Sequence, residues 1–129
     1  MTNRGTTLSF ANEHTELGVT SYGFADDPFD VRKFVMFQFV TDPSDVDAPD
    51  DEGSFWIETE SGSGYGLVEG VNVSGSLVEI ALTSAGRTEL ASDGFLVVNY
   101  AGDERAFDRT LRLLRYNCGL FGIPFTRTD

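Results

Sequence analysis

The sequence predicts an α+β fold: a twisted, mostly antiparallel sheet with a C-terminal helix on one face and one additional short helix. Three observations predict it. Alternating and β-branched or aromatic runs dominate up to residue 100. A helical apolar stripe follows at Phe107, Leu111, Leu114 and Cys118. The runs of strand type come first and the long helix last, an order that fits segregated rather than alternating elements.

Taken in order, the expected strands are Thr6–Ala11, Leu17–Phe24, Lys33–Thr41, Ser54–Glu60, Gly66–Val73, Ser76–Leu82 and Gly94–Tyr100. Asp26-Asp27-Pro28 is a turn. Phe34-Val35-Met36-Phe37-Gln38-Phe39-Val40 is apolar at nearly every position, as in a strand covered on both faces, and is placed at the centre of a sheet. Asp42 to Gly53 is polar, acidic and broken by Pro43 and Pro49, and reads as a long exposed loop. Gly62-Ser63-Gly64-Tyr65-Gly66 reads as a turn with Tyr65 at its tip. Ser74-Gly75 suits a two-residue hairpin. That register sets Val73 opposite Ser76, Val71 opposite Val78, Glu69 opposite Ile80 and Leu67 opposite Leu82. Glu69 then lies on an apolar face, unless a bulge at Gly70 turns it outward.

A short helix is expected from about Ser84 to Ala91, with Thr83 or Ser84 as its N-cap. The longer helix starts at an Asp103 N-cap and runs to about Cys118, with Gly119 as the residue that ends it. Arg105, Arg109, Arg112 and Arg115 fall opposite the apolar stripe, with Asp108 within reach of Arg105 and Arg112. The tail Leu120-Phe121-Gly122-Ile123-Pro124-Phe125 is apolar, and is expected to pack back on the domain or to form an interface.

The 129 residues fit one domain, residues 1–129. A domain of this size buries roughly two-thirds of its unfolded surface and needs no metal or disulfide to fold. Eleven phenylalanines supply bulky core material. The formal net charge of −12 argues against nucleic acid or an anionic membrane as partner; it either favours a basic protein or serves only to keep the protein soluble. No apolar run approaches the ~20 residues that span a bilayer. Cys118 stands alone, no secretory signal is visible, and a reducing, cytoplasmic setting is expected.

Candidate catalytic chemistry is sparse. One histidine, His14, and one cysteine exclude a zinc site of the usual ligands. Asp45-x-Asp47-x-Pro49 does not fit a calcium-binding EF-hand loop. No nucleophile elbow is present, and the glycine run precedes a strand-like segment rather than a phosphate-binding helix N-terminus. No cofactor is expected. Glu58 and Glu69, on consecutive strands, are the one carboxylate pair that could serve a weak hydrolase or small-ligand site.

Trp56-x-Glu58, then Gly64-Tyr65-Gly66, Val68-Glu69, a hairpin and a closing helix resemble the immunity protein 10 family of bacterial polymorphic toxin systems. Gly23-Phe24-Ala25-Asp26-Asp27, followed by an apolar strand through Gln38, is also similar. The resemblance covers about Leu17 to Leu114. It implies a non-enzymatic protein, made beside a toxin gene, that binds the cognate toxin domain and blocks its activity. A basic nuclease is one class of toxin that the acidic surface would suit. The candidate partner-binding residues are Asp50, Asp51, Glu52, Trp56, Glu58, Tyr65 and Glu69. The competing expectation is an adaptor or structural module that forms a homo-oligomer through its C-terminal tail.

Overall fold

The computed structural model describes residues 6–40, 55–92 and 94–128. Its strands are β1 (Thr6–Leu8), β2 (Phe10–Glu16), β3 (Val19–Ala25), β4 (Phe34–Val40), β5 (Trp56–Thr59), β6 (Gly62–Tyr65), β7 (Val68–Ser74), β8 (Leu77–Leu82), β9 (Phe95–Tyr100) and β10 (Phe125–Thr128). Two helices, α1 (Ser84–Glu89) and α2 (Glu104–Leu120), flank β9 in sequence. The expected α+β class, the predominance of antiparallel pairing and both helices are present. The strands divide between two five-stranded sheets, ordered β1-β9-β8-β7-β10 and β2-β3-β4-β5-β6. The second is antiparallel throughout. The first has an antiparallel centre, with β1 and β10 added in parallel at its edges.

The division into two sheets begins at Ser9. Leu8 pairs with Tyr100 in the first sheet, and Phe10 pairs with Ala25 in the second. The expected single strand Thr6–Ala11 is therefore two strands that serve different sheets. β2 then continues to Glu16 through polar residues, and turns into β3 at Leu17-Gly18, where both residues have positive φ (52° and 78°). Such a turn matches the right-handed twist of the strands it joins. Exposed, non-alternating residues on an edge hairpin leave no periodic signal, so this half of β2 was not legible in the sequence.

β4 occupies the centre of the second sheet, as its apolar run requires. Val35, Phe37 and Phe39 point into the core, and Phe34, Met36 and Gln38 are half-buried on the other face. The inner faces of both sheets and α2 meet in one cluster of buried residues. On α2 the expected stripe of Phe107, Leu111, Leu114 and Cys118 is buried, joined by Thr110 and Asn117. Asp103 caps its N-terminus by accepting from the Ala106 N–H at 3.0 Å. Thr83 caps α1 in the same way through the Gly86 N–H at 3.1 Å.

Three further expectations are corrected. The β7–β8 turn is Gly75-Ser76, so Val73 faces Val78 and Val71 faces Ile80. The shift of two residues leaves Val71, Val73, Val78 and Ile80 on their expected face, while the irregularity between Val68 and Gly70 turns Glu69 outward. The long helix runs through Gly119 and ends at Phe121, with Gly122 (φ 68°) following and the Ile123 N–H donating to the Cys118 carbonyl at 2.9 Å. That closure satisfies a helix-terminal carbonyl and turns the chain sharply. Asp108 pairs with neither arginine of its own helix but with Arg127 of β10, at 2.8 Å.

The apolar tail packs back: Phe121, Ile123 and Phe125 lie against the core, and β10 pairs in parallel with β7. Leu120 alone of its large apolar residues is strongly exposed.

Gly119 has helical surroundings and open space where a Cβ would project. Gly119→Ala is therefore expected to raise stability by about 0.5–1 kcal/mol, since alanine loses less backbone freedom in a helix. Denaturant unfolding checks this; a loss of stability would mean that Gly119, and not Gly122, ends the helix.

Candidate functional site

Strand alternation sorts the second sheet into two faces. Ile57 and Thr59 of β5 are buried in the core, so Trp56 and Glu58 project to the outer face. Trp56 pairs with Tyr65 of β6, and their rings lie 4.9 Å apart at 60°. Glu58 sits between Met36 of β4 and Ser63 of β6. Gln38 lies beside Trp56, and the Ser21 hydroxyl of β3 donates to its Oε1 at 3.4 Å. Pairing thus brings Trp56, Glu58 and Tyr65 together on one surface, an aromatic pair beside a carboxylate.

Tyr65 reaches this surface from within a strand and not from a turn. The β5–β6 turn is at Glu60-Ser61, and two of the glycines read as turn residues have packing roles instead. A Cβ on Gly62 would stand 2.1 Å from the Glu89 carbonyl oxygen at the end of α1, and one on Gly64 would stand 3.0 Å from the Leu67 side chain. Gly66 alone of the three has positive φ, 68°, and there the chain leaves the second sheet for the first.

Glu69 is placed elsewhere. The β7–β8 register slips between Val68 and Gly70, and Glu69 is exposed on the first sheet rather than set among apolar neighbours. Glu58 and Glu69 stand on unpaired strands of different sheets, so the expected cross-hairpin carboxylate pair does not form. Asp50, Asp51 and Glu52, with the rest of the acidic loop, lie outside the described residues.

The outer face continues across β4, β3 and β2 as a groove of about 480 Å³. Phe10, Ala25, Phe34 and Met36 line it, and Gly23 lies among them without a side chain. Pro28 and Val31 border it from the β3–β4 connection. That connection is held by two aspartates. Asp27 Oδ1 accepts from the Phe29 and Asp30 N–H groups at 2.8 and 2.9 Å. Asp26 Oδ1 accepts from the Arg32 and Lys33 N–H groups at 3.0 and 3.2 Å. Asp-Asp-Pro signalled the turn. The depth of its organisation was not legible, because Asp26 reaches six and seven residues ahead. Phe29, at its apex, is 95% exposed.

A second cavity, of about 290 Å³, lies between the sheets beside α1, lined by Leu8, Val35, Leu90 and Val98 with Lys33 and Glu60 as its charged residues. Among the described residues no group of three histidine, cysteine, aspartate or glutamate side chains could hold a metal ion. Burial pushes the Cys118 thiol up to about 12, which leaves it protonated at neutral pH. Among the described residues no helix is long and apolar enough to cross a membrane.

Backbone N–H groups lower both loop carboxylates below their usual range: those of Arg32 and then Lys33 for Asp26, and those of Asp30 and Phe29 for Asp27. A carboxylate whose folded pKa is depressed stabilises the fold above its unfolded pKa. Its contribution falls away as pH drops below about 3.8 and through the lower folded value. Side-chain carboxyl NMR titration is expected to give both aspartates midpoints under 3.8, with the loop amide signals moving over the same interval. Ordinary midpoints would mean that the turn hydrogen bonds are not kept in solution.

The family model for immunity protein 10 matches residues 6–108 of the 129, from β1 into the second turn of α2. No curated protein and no solved structure matches the chain.

Proposed function

The chain belongs to the immunity protein 10 family, and from that premise we propose that it is a non-catalytic inhibitor that binds one cognate toxin domain of a polymorphic toxin system, in the cytoplasm, and neutralises it by tight one-to-one contact. The observation that carries the binding mode is the cross-strand Trp56–Tyr65 pair on the outer face of the second sheet, beside Glu58. Tyrosine and tryptophan are common centres of interfaces because they bury a large area and lose little conformational freedom. The net charge of −12 favours a toxin with a cationic surface, as a nuclease has. In this reading Asp50, Asp51 and Glu52 steer the encounter, while Trp56 and Tyr65 hold the complex once formed. Glu69, on the other sheet, is not part of this face.

The reading gives two separable kinetic effects. Replacing Asp50, Asp51 and Glu52 with Asn, Asn and Gln is expected to slow association roughly tenfold at low ionic strength, with less effect as salt screens the field. Trp56→Ala is expected to weaken binding roughly thirtyfold, mainly through faster dissociation. Surface plasmon resonance against the purified toxin domain, with protection of cells expressing it, checks both. Unchanged rates for both variants would remove this face from the interface.

A further inference from the structure

Phe29 is the most exposed large apolar residue of the described chain, at 95%. A single exposed hydrophobic residue is ordinary. Three features set this one apart. The first is that its backbone is already fixed. The Phe29 N–H donates to Asp27, the Asp26 N–H donates to the Lys33 carbonyl at 3.1 Å, and the Ser9 hydroxyl donates to the Asp26 carbonyl at 3.2 Å. A ring presented on such a loop loses little freedom when a partner closes over it. The second is continuity. Pro28 and Val31, on either side of it in sequence, border the groove over Phe10, Phe34 and Met36, and Met36 adjoins Glu58 on the same face.

The third is charge. Asp26, Asp27 and Asp30 share the loop with Phe29, and Arg32 is already engaged by Asp30 at 3.3 Å. Glu58 and Glu60 lie across the sheet, and the Glu60 carboxylate accepts from the Phe34 N–H at 3.1 Å, next to where the loop re-enters β4. Apart from Arg32, Lys33 is the cationic residue of the loop. An apolar knob in acidic surroundings complements an apolar pocket rimmed by cationic side chains.

We infer that Phe29 is a further aromatic anchor of the toxin interface, inserted into an apolar pocket of the toxin domain whose lysines or arginines face Asp27. This rests on the immunity reading and adds a second contact region, at the end of the outer face away from the Trp56–Tyr65 pair. The toxin then spans the groove from the β3–β4 loop to β6. A second copy of this chain is a poorer occupant, since two acidic surfaces would repel.

The test uses the full chain and the toxin domain encoded beside it. Binding by titration calorimetry and protection in co-expression are measured for the wild type, Phe29→Ala, and Leu120→Ala as an exposed apolar control on α2. Sedimentation of each form alone accompanies them. The expected result is a thirtyfold or greater loss of affinity for Phe29→Ala, with an unchanged melting temperature, and less than a threefold change for Leu120→Ala. Wild-type binding with Phe29→Ala within threefold overturns the anchor and leaves the immunity reading standing. Equal losses for the two variants overturn it as well, by showing a general apolar effect. A dimer of the wild type that Phe29→Ala abolishes, without change in toxin affinity, assigns the residue to self-association instead. Failure of the wild type to bind or protect overturns the immunity reading itself.

Discussion

Phe24 touches Tyr100 of the first sheet and Phe107 of α2, with ring centroids 5.7 and 5.8 Å away, and Tyr100 and Phe107 stack on each other at 4.6 Å. This triangle joins both sheets and the helix in one contact. Each buried aromatic is worth roughly 1.5–3 kcal/mol relative to exposure, so the three layers have a strong reason to stay together. The consequence reaches the surface. A strand has two faces, and the second sheet commits one of them to this core. Whatever Trp56, Glu58, Met36 and Tyr65 do, they do on the face that remains.

One polar tie sets how α2 lies on that sheet. Fully buried Asn117 donates through Nδ2 to the Tyr22 hydroxyl at 2.7 Å and to the Gln38 carbonyl at 3.3 Å. Its Oδ1 has no hydrogen-bond partner among the described residues. A buried amide in apolar surroundings favours the arrangement that supplies its partners over rotated alternatives. Burial also raises the Tyr22 hydroxyl well above its usual pKa, so the tie stays neutral. Gln38 is the hinge of this design: its backbone serves the inner tie, and its side chain reaches Ser21 on the outer face.

The sequence carried the periodic parts of this fold well and the non-periodic parts poorly. β4 announced its central place by being apolar on both faces, and α2 announced its buried stripe and its Asp103 cap. The chain's transfer between sheets at Ser9 left no trace, because the residues on either side are equally strand-like. The run 62–66 misled for a different reason. Glycine marks close approach as readily as it marks a turn, and Gly62 and Gly64 are bare because Glu89 and Leu67 press against them. At the site, Trp56 and Glu58 were legible as a motif, but their union with Tyr65 needed the β5–β6 register. Glu69 left the group because β7 joins the first sheet, a division that its local sequence does not signal; the irregularity beside Gly70, which the sequence allowed without deciding, only turns it outward there.

In the proposed account, this two-sheet scaffold offers the outer face of its second sheet to a cationic toxin. Hydroxyl-radical footprinting of the complex with the toxin domain tests that account most directly, because it reads exposed side chains one by one. Trp56, Tyr65 and Met36 are predicted to lose reactivity on binding, while Phe95 on the first sheet and Tyr116 on α2, both well exposed in the free protein, keep theirs. Protection of Phe95 or Tyr116 with Trp56 and Tyr65 unchanged would contradict it.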